Sequence, residues 1–463
     1  MKSWWSSWTV RRRGSEPRPV PVPASHPTRG ELAARAGEAL LDVTLTWSTW
    51  CFRRVDSIHP LEGERGRRRH SMDCAPPPDP GLAYRPEERV AKTVNEVQGP
   101  LMVPLMYVAK EPLRHFDAHD SHGQTMPILG ASETTELAVE MTSRMLAVDR
   151  VSVTAGVRAA LADIAGPATS REDKKDVGIF TSGGPWRGEV VWQPGEKPSP
   201  DAAKLIQVFS RQFLLVALIS AEDADRRQVL KFSYHWHIAR PSWKDRARAP
   251  LVAARFAPRK VLVPLDAAHA ARSYHLEFQT PPELQCYALR LPTAEGMAAG
   301  GSGLDERGMP VAHAHSQYAT QPSKSAEVYL DVPIRGAGLA TLLATAFTGL
   351  VVGLGLFLPN ARDNWSDSSD AAIAILLAGP AIYFGLLAVR NESALATSTF
   401  RFLRTVLFLS ALSLFLVAVS IVGKLVTPLQ DLLWFSLAFW NLLVAIFLVV
   451  GYVVSVVQTR VLR

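Results

Sequence analysis

The sequence predicts an α+β membrane protein: a β-rich, sandwich-like cytoplasmic domain with one or two helices, followed by a four-helix transmembrane bundle. Two observations carry this. Four apolar segments, Ala337–Leu358, Ala371–Val389, Thr405–Gly423 and Leu432–Val457, fill the last third, and none contains an Asp, Glu, Lys or Arg. Upstream, from about residue 86, short runs with period-two alternation are separated by turn residues, the pattern of strands with one buried face.

The chain has 463 residues and a net charge of +7. Residues 1 to 85 read as a disordered, basic, Pro/Arg/Trp-rich tail: Arg11-Arg12-Arg13, Pro17, Pro19, Pro21 and Pro23, then Arg67-Arg68-Arg69 and Pro76-Pro77-Pro78. Such a composition buries too little apolar surface to offset the entropy of ordering. The tryptophans Trp4, Trp5, Trp8, Trp47 and Trp50 then suit either an arm resting on an anionic leaflet or a flexible tail upstream of a true start at Met72. No apolar core of secretory-signal type follows the basic residues. Because the positive charge lies in this tail and at the membrane flanks, no nucleic-acid partner is expected. Ala-, Arg- and Val-rich usage is that of a high-GC bacterial genome. Three widely spaced cysteines, Cys51, Cys74 and Cys286, build neither a disulfide framework nor a zinc spacing.

Residues 86 to 332 form the β-rich domain. Leu101 to Val108, broken by Pro104, reads as an edge or irregular strand. Residues 114–120 and 124–129 read as a hairpin about Ser121-His122-Gly123. Ser132 is placed to cap a helix through about Val148, with Leu137, Met141, Met145 and Val148 on one face. Short strands are expected at 177–181 and 188–192, and a further one at 213–220. Gln228 to Ile238 alternates most clearly: Leu230, Phe232, Tyr234, Trp236 and Ile238 on one face, Val229, Lys231, Ser233, His235 and His237 on the other. Strands follow at 260–265, 273–279, 285–291 and 326–332. Thr293 to Lys324 reads as a long flexible loop.

The chemistry in these residues is sparse. His235-Trp236-His237 sets two imidazoles on one strand face, a spacing that zinc or iron sites use. If the strand at 273–279 is a neighbour and turns Tyr274, Leu276 and Phe278 to the core, His275 and Glu277 join them, so His235, His237, His275 and Glu277 form a candidate metal set. The alternative is a solvated sheet face on which histidine is tolerated. His313-Ala314-His315 falls in the expected loop. Asp117, His119 and Asp120 read as a polar turn without EF-hand spacing. No phosphate-binding loop, nucleophile elbow, zincin motif or dinucleotide fingerprint occurs, so no catalytic residue and no cofactor is assigned.

Each apolar segment is long enough, as a helix, to cross a hydrocarbon core of about 30 Å, and none keeps the polar stripe of a soluble helix. Arg335, Arg390, Arg401, Arg404, Arg460 and Arg463 flank one side and Arg362 and Lys424 the other, which places both termini in the cytoplasm. Gly349 and Gly353 form a small-x-x-x-small face, Gly379-Pro380 bends the second helix, and Asn441 with Ser436 bonds within the bundle. The absence of ionisable groups inside the spans argues against a proton-coupled transporter. Thr341, Thr345, Thr348, Ser410, Ser413 and Asn441 either line a channel or join helices. The sequence therefore favours a multi-pass protein in the cell membrane that anchors a binding or signalling domain to the inner leaflet. Its partners would be the lipid bilayer, a protein bound by the domain, and a second copy through the bundle. A gated channel or transport component is the alternative, and a metal-dependent enzyme the weaker one.

Overall fold

The computed structural model describes residues 29–61, 65–82, 99–167, 173–237, 243–265, 270–293, 296–304, 310–317, 325–357, 378, 382, 394–423 and 425–461. Among these residues the centre is a mixed sheet of ten strands. Strand β1 (Cys51–Pro60) pairs antiparallel with β2 (Arg65–Cys74) and parallel with β8 (Ser273–Gln279). Beyond β2 lie β6 (Gln228–His237) and β4 (Arg114–His119); beyond β8 come β11 (Pro310–Gln317), β10 (Gly296–Leu304), β9 (Gln285–Thr293), β12 (Ser325–Asp331) and β7 (Arg259–Pro264). A separate ribbon joins β3 (Leu101–Ala109) to β5 (Gln212–Ile219). Its register shifts between Pro104 and Met106, where proline cannot donate to the ladder.

Two sequence expectations are corrected here. Within the expected tail, residues 29–61 and 65–82 are folded: they include helix α1 (Arg29–Leu45), the short turn of helix α2 (Trp47–Trp50) and the strands β1 and β2 at the heart of the sheet, and the rest of 1–85 lies outside the described residues. Trp47 and Trp50 stack in the core, and Met72 is fully buried, so a chain beginning at Met72 would lack β1 and most of β2. The Arg-rich run misled because β2 alternates: Arg65, Arg67 and Arg69 stay outside while Gly66, Arg68, His70 and Met72 go in. The stretch 293–324 is not one loop either, since it contains β10 and β11. Small residues let β10 change partners, residues 296–300 pairing with β9 and 301–304 with β11. The sheet thereby folds back on itself, and Leu276 and Phe278 of β8 share a core with Leu289 of β9, Val328 and Leu330 of β12 and Val263 of β7. The α+β class expected from the sequence is observed as this ten-stranded sheet and a two-stranded ribbon combined with helices.

Helices cover the other half of the domain. They are α3 (Ala131–Val148), α4 (Ala155–Ala165), α5 (Asp173–Thr181), α6 (Pro200–Arg211) and α7 (Trp243–Ala253). Helix α3 starts one residue before Ser132, with the Glu133 carboxylate accepting from the Gly130 N–H at 2.8 Å. Helix α6 has Ser199 accepting from Ala202 N–H at 3.2 Å and Pro200 in its first turn, both strong start signals. The strand expected at 177–181 is the end of α5, and 188–192 holds only a tight bridge between Trp186 and Glu189. Helices α1, α3, α4 and α6 bury Leu40, Met141, Leu161 and Phe209 in one core with the β3–β5 ribbon, whereas Ala253 of α7 belongs to the core shared with α9 and α10.

Three helices among the described residues are long and apolar enough to cross a membrane, spanning Gly336–Phe357, Leu395–Val422 and Thr427–Val457. They belong to α8 (Leu339–Phe357), α9 (Ala394–Val422) and α10 (Thr427–Val461). The structure thus describes three spans where the sequence predicts four; of the segment 371–389 all but residues 378 and 382 lie outside the described residues. As expected, Asn441 bonds within the bundle, to Ser410 (2.8 Å) and Ser413 (3.1 Å) of α9, while Ser436 bonds to its own helix at the Leu432 carbonyl. Thr341, Thr345 and Thr348 are buried as well. Gly349 approaches Leu442 and Asn441 of α10, whereas Gly353 faces open space and Gly355 sits against Trp434.

Candidate functional site

Strand register builds a continuous polar surface on the outer face of β4, β6, β2, β1, β8 and β11. One row of cross-strand neighbours runs Asp117, Ser233, Arg69, Ser57, Glu277, His313; the next runs His119, Lys231, Ser71, Val55, His275, His315. These side chains are exposed or half-buried except Ser233, which is buried. The alternate residues of the same strands point inward, so the face is a direct product of period-two geometry.

Between β4 and β1 the surface sinks into a depression of about 290 Å³ whose lining includes Ser57, Arg67, Arg69, Ser71, Lys231 and Ser233. Arg67 donates to Ser233 Oγ from Nη2 at 3.0 Å and from Nε at 3.3 Å, and its Nη2 stands 3.9 Å from Asp117. Three cationic groups with hydroxyls among them, opposed by one carboxylate, make a surface suited to anions, for which guanidinium groups offer forked donors.

Directly beneath lies a buried ionic cluster. Asp56 accepts from Arg68 Nη2 at 3.0 Å and from the Tyr274 hydroxyl at 2.8 Å; its other oxygen lies 2.5 Å from His70 Nδ1 and 3.6 Å from Arg54 Nε. Arg54 also donates to the Leu105 carbonyl of the ribbon at 2.8 Å, and Arg68 to the Pro264 carbonyl of β7 at 2.9 Å. The cluster therefore ties the centre of the sheet to the β3–β5 ribbon and to the sheet's own edge strand β7. Burial opposes the charged Asp56 carboxylate, yet His70, Arg68 and Arg54 hold it well below the usual range. Burial pushes His70 down to about 4, leaving its ring neutral at neutral pH, and burial beside Asp56 pushes the Tyr274 hydroxyl well up.

Of the sequence-predicted metal set, His235, His275 and Glu277 belong to this outer face and His237 lies two residues beyond His235 in β6, but β2 and β1 separate β6 from β8. Three inter-strand steps put His235 and His237 about 14 Å from His275 and Glu277, so the neighbouring-strand condition is not met. His235 instead lies 4.3 Å, ring to ring, from His115, which sits at φ 50° on an irregularity of β4. His237 pairs with Arg65 at the strand end. His275 has different neighbours: the rings of His313 and His315 are each 5.3 Å away. Burial, then Arg53 and these two histidines, push His275 down to about 4. Glu277 bonds to Ser57.

Sequence reasoning missed Ser57, Arg67, Arg69 and Ser71 as surface groups and Arg54, Asp56, Arg68 and His70 as interior ones. The usable signal was period-two order inside 51–60 and 65–74, hidden by the charge of the interior positions. No protein-family model matches this chain, and no curated protein does either.

Proposed function

We propose that this chain is a multi-pass integral membrane protein that holds an anion-recognising domain rigidly against the cytoplasmic leaflet. One observation carries the mounting: a single apolar core contains Leu276, Val328 and Leu330 of the sheet together with Leu395, Phe400 and Leu403 of α9 and Val444 and Leu448 of α10. Polar clasps support it. Arg255 Nη2 donates to Asp331 at 3.1 Å and to Ser455 Oγ at 2.7 Å, while Arg259 Nη1 donates to the Leu395 carbonyl at 2.6 Å and to Thr399 Oγ1 at 2.9 Å. With Leu342 near the start of α8 packed on the same core, α8 and α9 both leave the domain in one direction and α10 returns to it, which keeps the domain on one side of the bilayer. The arginine bias of the flanks favours the cytoplasmic side. The cationic depression supports an anionic ligand.

Membranes from cells expressing the chain with a reporter after Arg463 test this reading. The chain is expected to resist alkaline carbonate extraction, and the reporter to be active inside the cell. In detergent, a Arg69→Glu/Lys231→Glu variant is expected to lose retention on phosphocellulose relative to Lys244→Glu. Extraction as a peripheral protein or an outward reporter overturns the mounting; equal retention overturns the anion reading.

A further inference from the structure

The far end of the same sheet face carries a second constellation, independent of the cationic depression. Antiparallel register sets His315 opposite His275 and His313 opposite Glu277, so four potential ligands occupy the corners of one small quadrilateral. Its rungs are about 5 Å between Cβ atoms and its sides about 7 Å along the strands. Across one diagonal, His275 Nδ1 lies 3.2 Å from His313 Nε2. Two nitrogens bound to one tetrahedral zinc at about 2.0–2.1 Å stand about 3.4 Å apart, so this pair is already spaced as two ligands of a common ion.

The surroundings agree. Ser273 Oγ lies 3.0 Å from His275 Nε2, which turns Nδ1 toward His313; metal-bound imidazoles are commonly oriented through their second nitrogen in this way. His313 and His315 are exposed, so an ion in solution can reach them. The His315 ring lies nearly parallel to that of His275, at 25°. Among the described residues no three such groups already converge on one point; the third nitrogen is brought in by rotating the exposed His315 side chain about its χ angles, which neither sheet pairing nor the core restrains.

We propose that His275 through Nδ1, His313 through Nε2 and His315 bind a divalent transition-metal ion of the zinc class, with Glu277, the cross-strand partner of His313, beside it. Three neutral imidazoles suit zinc and its neighbours in the first transition row rather than magnesium or calcium. The site keeps His275 and Glu277 from the sequence-predicted set and replaces the histidines of β6 with those of β11.

The test uses the full chain in detergent, freed of affinity tag, stripped with a chelator and dialysed against Zn²⁺. Elemental analysis is expected to find about one ion per chain, and Co²⁺ in its place should give the visible absorption of a low-coordinate imidazole site. His313→Gln and His315→Gln should each weaken binding about tenfold or more, since altering even a supporting partner of a ligand costs that much. His235→Gln should bind as the parent does. Absence of zinc above the detergent blank overturns the proposal, as do His313→Gln and His315→Gln chains that bind as tightly as the parent.

Discussion

Asp56 and His70 are both sealed inside the sheet, and each titrates away from its solution range for its own reason. Asp56 keeps its charge because two guanidinium groups and an imidazole surround it; His70 loses its charge because no solvent reaches it. Lowering the pH affects them in different windows. Between about 6.5 and 4 the unfolded chain takes up the proton that folded His70 refuses, so stability falls as pH falls, by about 3 kcal/mol at most. The Asp56 contribution is present above the ordinary carboxylate range and is lost only as pH drops through its lower folded value. The thermal midpoint of the detergent-solubilised chain is therefore expected to fall between pH 7 and pH 4.5, and His70→Gln to flatten that slope although it lowers the midpoint at pH 7. Because burial also lowers His59, His235 and His275, the comparison of slopes is the decisive one. Parallel profiles for parent and variant would remove His70 from the account.

At the scale of single elements, the packing of α8 against α10 turns on Gly355. A Cβ added there would lie 2.0 Å from Trp434 Cζ3, and that indole cannot retreat, being fully buried with its Nε1 donating to Ser420 Oγ at 2.8 Å. Gly355→Ala should lower the unfolding midpoint in detergent, by about 1–3 kcal/mol of stability, while Gly353→Ala, with nothing within 4 Å, should leave it unchanged. Equal effects would mean the helices do not meet as described. The contrast also explains what the sequence could reveal about elements. Period-two alternation made β6, β8 and β12 readable, because their inward residues are apolar: Leu230 and Phe232, Leu276 and Phe278, Val328 and Leu330. It failed for β1 and β2, whose inward residues include Arg54, Asp56, Arg68 and His70, and for β10, whose Gly- and Ala-rich sequence has no apolar rhythm at all. A Gly-x-x-x-Gly spacing names a helix face only if the partner lies on it; here the partner lies against Gly349 and Gly355. The candidate metal set was half legible for the same reason. Face could be read from alternation, whereas strand order, set by contacts between residues such as Val55 and His275 that are far apart in the chain, could not.

For the molecule as a whole, the question is where one folding unit ends. The sequence suggests a boundary near residue 86 and another at Pro333, but the structure joins material across both. On the first side, β1 pairs with β8 and β2 with β6, so a piece spanning 86–332 lacks the two strands that connect the halves of its sheet. It would also leave Tyr274 buried without Asp56 and the inner face of β6 without His70, which packs 4.6 Å from the Phe232 ring. On the second side, removing α9 and α10 uncovers Val328, Leu330 and Leu403's neighbours in the shared core and deprives Arg255 and Arg259 of their helix partners. Exposed apolar surface of that kind promotes association. Expression of 86–332 should therefore yield insoluble or unfolded chain, and 29–332 should gain secondary structure but self-associate, whereas 29–463 in detergent should be monodisperse. Size-exclusion chromatography with circular dichroism separates these outcomes. A folded, monomeric 86–332 would show that the sheet can close without its centre and that the domain owes nothing to the membrane helices, and both conclusions contradict the strand order and the common core on which the mounting of this domain rests.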